Sequence, residues 1–155
     1  MDETFNFIFY NNRLHHIAFF ALGQADRERI MLNVQTDIVI HQLVEAQALQ
    51  TPDAVAIVFL DRQLTYQELN QKANQLAHHL RELGVKPEVL VGVCIERSLE
   101  MLIALLAVLK AGGAYVPLDP SYPPDRLAFM LEDSKLPILL TEQSQLEKLP
   151  QHSVH

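Results

Sequence analysis

LKAGGAYVPLDPSYPPDRLAFMLEDS (109–134) is the stretch on which the reading of the fold turns. It runs from the end of an apolar helix through Gly112-Gly113, a short apolar strand and a proline-framed turn into a further helix. Glycines between apolar elements raise the question of a phosphate loop, and their order answers it. An anion loop needs a strand, then glycines, then a helix whose free N–H groups face the anion. Here the helix comes first. Gly112-Gly113 is therefore expected to be a helix C-cap followed by a tight turn. Neither GxGxxG nor GxxxxGK[ST] occurs anywhere in the chain.

Upstream of this stretch the pattern is regular back to Ile38. IVIHQLVEAQAL (38–49) reads as a short helix stopped by Thr51-Pro52, because residues before proline avoid the helical region. AVAIVFL (54–60) is β-branched and apolar and reads as a strand, turned by Asp61-Arg62 into a second short strand at 63–65. Thr65 and Glu68 have the spacing of a capping box. The helix they open places Tyr66, Leu69, Ala73, Leu76, Ala77, Leu80 and Leu83 on one face, and Gly84 is its expected left-handed stop. VLVGVCI (89–95) is a continuous apolar run, as expected of a strand covered on both faces. Ser98 suits the cap of LEMLIALLAVLKAG (99–112), whose interior charges are Glu100 and Lys110 alone. That helix has no polar face, so an exposed apolar patch is expected on it or along the last strand. AYVPL (114–118) is a strand, Pro123 or Pro124 opens a helix over 125–134, and PILLT (137–141) is the last strand. Strands alternating with helices imply βαβ units, right-handed crossovers and a mostly parallel sheet, an α/β fold.

Composition narrows the classes. The 155 residues have a formal net charge of −7 and 49% hydrophobic residues. With no Lys/Arg cluster, such a chain is not expected to bind nucleic acid. A single cysteine, Cys94, excludes a disulfide framework and points to a reducing cytoplasm. The longest apolar run, MLIALLAVL (101–109), is about half of a bilayer span, so no membrane is expected. The acidic start MDETFNF does not suit a signal peptide.

The chemistry-bearing residues read as structural. His15-His16 and His78-His79 are adjacent, so on a helix they diverge by about 100°. His152 and His155 have no third ligand in sequence reach. Cys94 lies in an apolar strand, where cysteine behaves as a small hydrophobe. Ser98 and Ser121 are accounted for by capping, with no histidine nearby. Glu96, Glu100, Asp125, Glu132 and Asp133 fall at helix starts or on solvated faces. Asp119, after a strand end in a proline-rich turn, suits an Asx turn.

The stretch at 109–134 also resembles the second core motif of the adenylation domains of nonribosomal peptide synthetases. LTYQEL (64–69) resembles their first core motif, and HQLVEAQALQTPDAVAIVF (41–59) the usual start of such a domain. ADRERIMLNVQT (25–36) is more loosely similar to the junction after a condensation domain. The similarity runs in order over about residues 40–141. It implies the N-terminal portion of the large domain of adenylate-forming enzymes, in the AMP-dependent synthetase/ligase family. It further implies binding of ATP, Mg²⁺ and an amino acid, formation of an aminoacyl-adenylate with release of pyrophosphate, and transfer to a carrier-protein thiol. The implied partners are the rest of the adenylation domain and the carrier and condensation domains.

Here the chain departs from the pattern. After Thr141 it runs EQSQLEKLPQHSVH, where the family has a Ser/Thr/Gly-rich loop ending in Pro-Lys-Gly. The motifs for adenine, ribose, Mg²⁺, the amino-acid pocket and the catalytic lysine are likewise not found. Lys110 belongs to the second core motif and is not that lysine. No catalytic, cofactor-binding or metal residue is therefore assigned, and no cofactor is expected on these residues alone. The expected organisation is an unassigned segment at 1–24, a linker at 25–38, a partial adenylation domain at 39–141, truncated before its active site, and a polar tail at 142–155. Inactivity in isolation and self-association are expected. The alternative is a non-enzymatic interaction module that docks with, or complements, a synthetase.

Overall fold

The computed structural model describes residues 39–149. The segments at 1–24 and 25–38, the histidines at 15, 16, 152 and 155, and the end of the polar tail lie outside the described residues. Contacts divide the chain into Met1–Leu43 and Val44–His155. Of the first unit only residues 39–43 are described, where the Gln42 N–H donates to the Val39 carbonyl (3.0 Å). All that follows concerns the second unit, together with the helix that leads into it.

Helix α1 (Ile40–Gln50) ends ahead of Pro52. The hairpin β1 (Val55–Phe59) and β2 (Arg62–Thr65) leads into α2 (Tyr66–Glu82), then β3 (Leu90–Cys94), α3 (Leu99–Ala111), β4 (Ala114–Pro117), α4 (Pro124–Ser134) and β5 (Ile138–Thr141). A 3₁₀ segment (Gln143–Lys148) closes the described chain. Strands β3, β4 and β5 form a parallel sheet in the order β4-β3-β5. The antiparallel β1–β2 hairpin stands as a separate two-stranded sheet. Its turn is at Leu60-Asp61 and not Asp61-Arg62, since Arg62 already pairs with Phe59.

The order β4-β3-β5 places the helices. The chain leaves β3 through α3 to reach β4 on one side, then crosses back through α4 to β5 on the other. Alternate strand residues feed two cores accordingly. Val91 and Val93 of β3 join Ala77, Leu80, Ala104, Ala107, Val108 and Ile138 on the face covered by α2 and α3. Cys94 joins Leu118, Leu127, Leu131 and Leu136 on the face covered by α4. Between these layers β3 is buried from Val91 to Cys94. Side-chain volume matters here: a Cβ on Gly92 would come within 2.6 Å of Leu136 Cδ1 and 2.8 Å of Leu139 Cδ1.

The helix ends follow the sequence closely. Thr65 Oγ1 accepts from the Glu68 N–H (3.2 Å), and Glu68 Oε2 accepts from the Thr65 N–H (2.9 Å), a complete capping box. Ser98 Oγ accepts from the Met101 N–H (3.1 Å). Gly84 at φ 95° and Gly112 at φ 91° are the left-handed stops of α2 and α3. Gly113 answers to space instead: a Cβ would lie 2.7 Å from Val85 Cγ1 and 3.1 Å from the Val89 carbonyl oxygen. Pro124 is the first residue of α4. Leu83 departs from expectation. It is the C-cap of α2, where the chain is already leaving the apolar face, and it is 37% exposed.

The expected apolar patch takes another form. None of the large exposed hydrophobic side chains among the described residues lies on α3 or β5. Helix α2 packs along α3, so Met101, Leu102, Ile103, Leu105, Leu106 and Leu109 are half-buried. The exposed ones sit at Leu49, Val55, Val58, Leu60 and Phe129, among others. Among the described residues no helix is long and apolar enough to cross a membrane.

Candidate functional site

In open parallel sheets, ligands bind outside the carboxyl ends of the strands, where the connections diverge to opposite sides. Here that crevice lies between β3 and β5. An open groove of about 340 Å³ is found there, lined by Ile95, Leu140, Thr141 and Glu142 at the strand ends, with Leu76 of α2 and Glu100, Ile103 and Ala104 of α3. The ends of the two strands are tied across it. Thr141 Oγ1–H donates to the Cys94 carbonyl (2.8 Å), and the buried Gln145 donates from Nε2 to Glu96 Oε1 (2.6 Å). The residues after Thr141 thus fold back on the sheet edge.

The polar groups of this edge are already engaged. Arg62 and Glu100 form an ion pair at 2.6 Å, with both side chains about half exposed. The hydrogen bond from Arg62 holds the Glu100 carboxyl below the usual carboxylate range. Asp119, beyond the end of β4, accepts from the Ser121 N–H (2.9 Å) in the expected Asx turn. That bond first, then the Ser121 hydroxyl, and the nearby charge of Arg97, hold its carboxyl low as well. Cys94 is fully buried, and burial, with a smaller contribution from Asp119, pushes its thiol up. A protonated buried thiol is no nucleophile.

Phosphate finds no seat here. Two helices begin at this edge. The start of α3 is capped by Ser98 and carries Glu100 in its first turn. The start of α4 carries Pro124, which has no N–H, and Asp125. Acid groups at a helix start repel the anion that the dipole would otherwise favour. Nor does the donor set suit Mg²⁺, since among the described residues no group of three or more His, Cys, Asp or Glu comes together. His78 and His79 are exposed on α2, with His79 facing Glu82 at 3.5 Å. The two helix starts thus present acid groups where a phosphate would sit, and the described residues bring no three-ligand set to a metal.

One residue took a place that its sequence context did not reveal. Lys110 Nζ pairs with Glu45 of α1, and its side chain is only 2% exposed. Arg81 of α2 donates to the Lys110 carbonyl oxygen. Lys110 is thus a clasp between α1 and α3, with α2 attached through Arg81. Its signal in the sequence was a lone cation at the end of a helix whose other charge is Glu100 in the first turn. Its partner, 65 positions away, had no local signature.

These features define the scaffold of a doubly wound α/β domain, with an open aliphatic groove at the ends of β3 and β5. The model of the AMP-binding enzyme family matches residues 44–155. Tyrocidine synthase 3 of Brevibacillus parabrevis is 51% identical over 129 residues, covering 79% of this chain and 2% of the relative. The nonribosomal peptide synthetase FmoA3 (S1046A), solved with alpha-methyl-L-serine-AMP bound, superposes with a TM-score of 0.71 at 39% identity, covering 75% of this chain and 13% of that one. The N-terminal subdomain of Klebsiella oxytoca NpsA, in complex with anthranilyl-AMSN, gives a TM-score of 0.67 at 27% identity, covering 75% of this chain and 30% of that one. The chain belongs to the AMP-binding enzyme family, as a portion of an adenylation domain of the nonribosomal peptide synthetase type. It spans only a small fraction of the length of the relatives it matches.

Proposed function

We propose that these residues form the N-terminal scaffold of a domain that activates an amino acid with ATP and Mg²⁺ as its aminoacyl-adenylate. The acyl group then passes to a carrier-protein thiol, in a cytoplasmic synthetase that also holds condensation domains. The observation that carries this reading is the match to the AMP-binding enzyme family over residues 44–155, together with the shared fold of FmoA3. The aminoacyl-AMP bound by FmoA3 supports the chemistry. Residues 39–141 contribute shape and support to that site, and other parts of the domain hold the nucleotide, the metal and the amino acid.

The test is amino-acid-dependent exchange of labelled pyrophosphate into ATP. The 155-residue chain alone is expected to show none above a blank. Exchange is expected when the chain replaces the equivalent segment of a complete adenylation domain. Activity of the isolated chain with any proteinogenic amino acid would overturn the scaffold reading.

A further inference from the structure

We propose that helix α1 is a hinged strap, latched to α3 by the Glu45–Lys110 pair and able to lift off as a unit while the sheet and its other helices stay folded. This goes beyond the adenylation reading and does not depend on it. Three observations point to a latch. First, α1 holds little of its own. Its 11 residues are fewer than an isolated helix needs in water, and neither an acidic first turn nor a basic last turn supports it. Ala48 is its one buried residue, and Leu49 is 86% exposed. Among the described residues, no helix or strand packs along α1 as α2 packs along α3. Second, the chain just beyond α1 is pinned. The Tyr66 N–H donates to the Ala54 carbonyl (3.0 Å) and the Gln67 N–H to the Pro52 carbonyl (3.1 Å). These bonds hold the approach to β1 against the start of α2, so a swing of α1 turns between Gln50 and Pro52 and goes no further. Third, the receiving half of the latch belongs to the core. Lys110 lies in α3 with its side chain 2% exposed, whereas Glu45 is 43% exposed. Arg81 of α2 donates to the Lys110 carbonyl oxygen, which fixes the lysine backbone without help from α1. Seating α1 takes the ammonium out of water against a single carboxylate, and lifting it restores hydration. That desolvation offsets much of the pair's attraction, so opening belongs to the local excursions that lie below global unfolding.

The experiment is native-state hydrogen exchange of the 155-residue chain, read by mass spectrometry at rising urea below the unfolding midpoint. Amides of residues 44–50 are expected to exchange faster than those of α3, through an opening that hardly responds to urea, because little surface is exposed when α1 lifts. Glu45→Gln removes a bond that the lifted state lacks, so it should speed exchange in α1 about tenfold or more. Thr65→Ala weakens a cap that the lifted state keeps. It should speed exchange in α3 and leave α1 unchanged. A second readout serves if Glu45→Gln does not fold: acetylation of the unaltered chain by N-hydroxysuccinimidyl acetate. Lys110 is expected to react more slowly than the exposed Lys72, at a rate almost independent of urea below the midpoint. The strap is overturned if α1 amides share the steep urea dependence of α3, or if Thr65→Ala speeds both alike, since α1 then opens only with the whole fold. It is equally overturned if α1 exchanges like an unstructured peptide, if Glu45→Gln leaves α1 exchange unchanged, or if Lys110 is acetylated only as the chain unfolds.

Discussion

Strands β1 and β3 are equally apolar in sequence, VAIVF against LVGVC, and they meet different fates. β3 is the centre of a parallel sheet between two helical layers and is buried from Val91 to Cys94. β1 pairs only with β2, and Val55 and Val58 are 48% and 52% exposed. An apolar run states that a segment will be extended. It does not state how many faces will be covered, because that depends on which other elements arrive. The hairpin also carries local strain absent from β3. Leu60, at its turn, has φ 54° and is 83% exposed, in a position where glycine would be at ease.

The contrast is open to measurement. The largest effect should come from the β3 side. Leu80, fully buried beside Val91 and Val93, should cost about 2–5 kcal/mol on truncation to alanine. Val58→Ala in the hairpin should cost within about 0.5 kcal/mol. Urea unfolding of the two variants compares them directly, and equal losses would mean that the hairpin is covered in solution.

Next comes the clasp. Glu45→Ala strands the buried Lys110 ammonium. Loss of one member of a buried pair costs about 3–5 kcal/mol; with Glu45 43% exposed, about 1–3 kcal/mol is expected here. Adding Lys110→Met should recover most of that loss, because the apolar stem stays and the unpaired charge goes. Recovery in a denaturant titration separates a charge effect from a packing effect.

A smaller loss, about 1 kcal/mol, is expected for Thr65→Ala, which breaks the capping box where the hairpin hands over to α2. An unchanged urea midpoint would show that this helix start contributes nothing to the coupling of the two regions.

The smallest effect is with pH. Glu100 and Asp119 both titrate below their ordinary range in the folded chain, chiefly through the bonds from Arg62 and the Ser121 N–H. A lowered folded value stabilises above the unfolded value of about 4 and is lost as pH falls through the folded one. Stability should therefore hold from neutral pH down to about pH 5 and decline below about pH 4. Asp119→Asn should shallow that decline slightly, since exposed groups are well screened. Urea midpoints across this range check it.

Much of this was legible along the chain because it rests on contacts a few residues apart. The Thr65–Glu68 box, the Ser98 cap, the stops at Gly84 and Gly112 and the Asp119 turn each join near neighbours, so spacing alone encodes them. The order helix, glycines, strand likewise marks Gly112 as a helix stop, a contact confined to neighbours in the chain. The covering of α3 by α2, the exposure of Leu83 and the separation of the hairpin from the main sheet were not legible, because packing partners carry no local mark.

By itself, then, the order of residues determined the element types, the parallel α/β class, the cap at Ser98 and the turn at Asp119. Only the tertiary structure decided that the strand order is β4-β3-β5, that Lys110 reaches Glu45, and that an aliphatic groove opens where the connections diverge. The physical reason is range. Backbone hydrogen bonds and caps close over a few residues and are written locally, whereas burial, ion pairing inside a core and the shape of a crevice are properties of segments that meet only when the chain has folded.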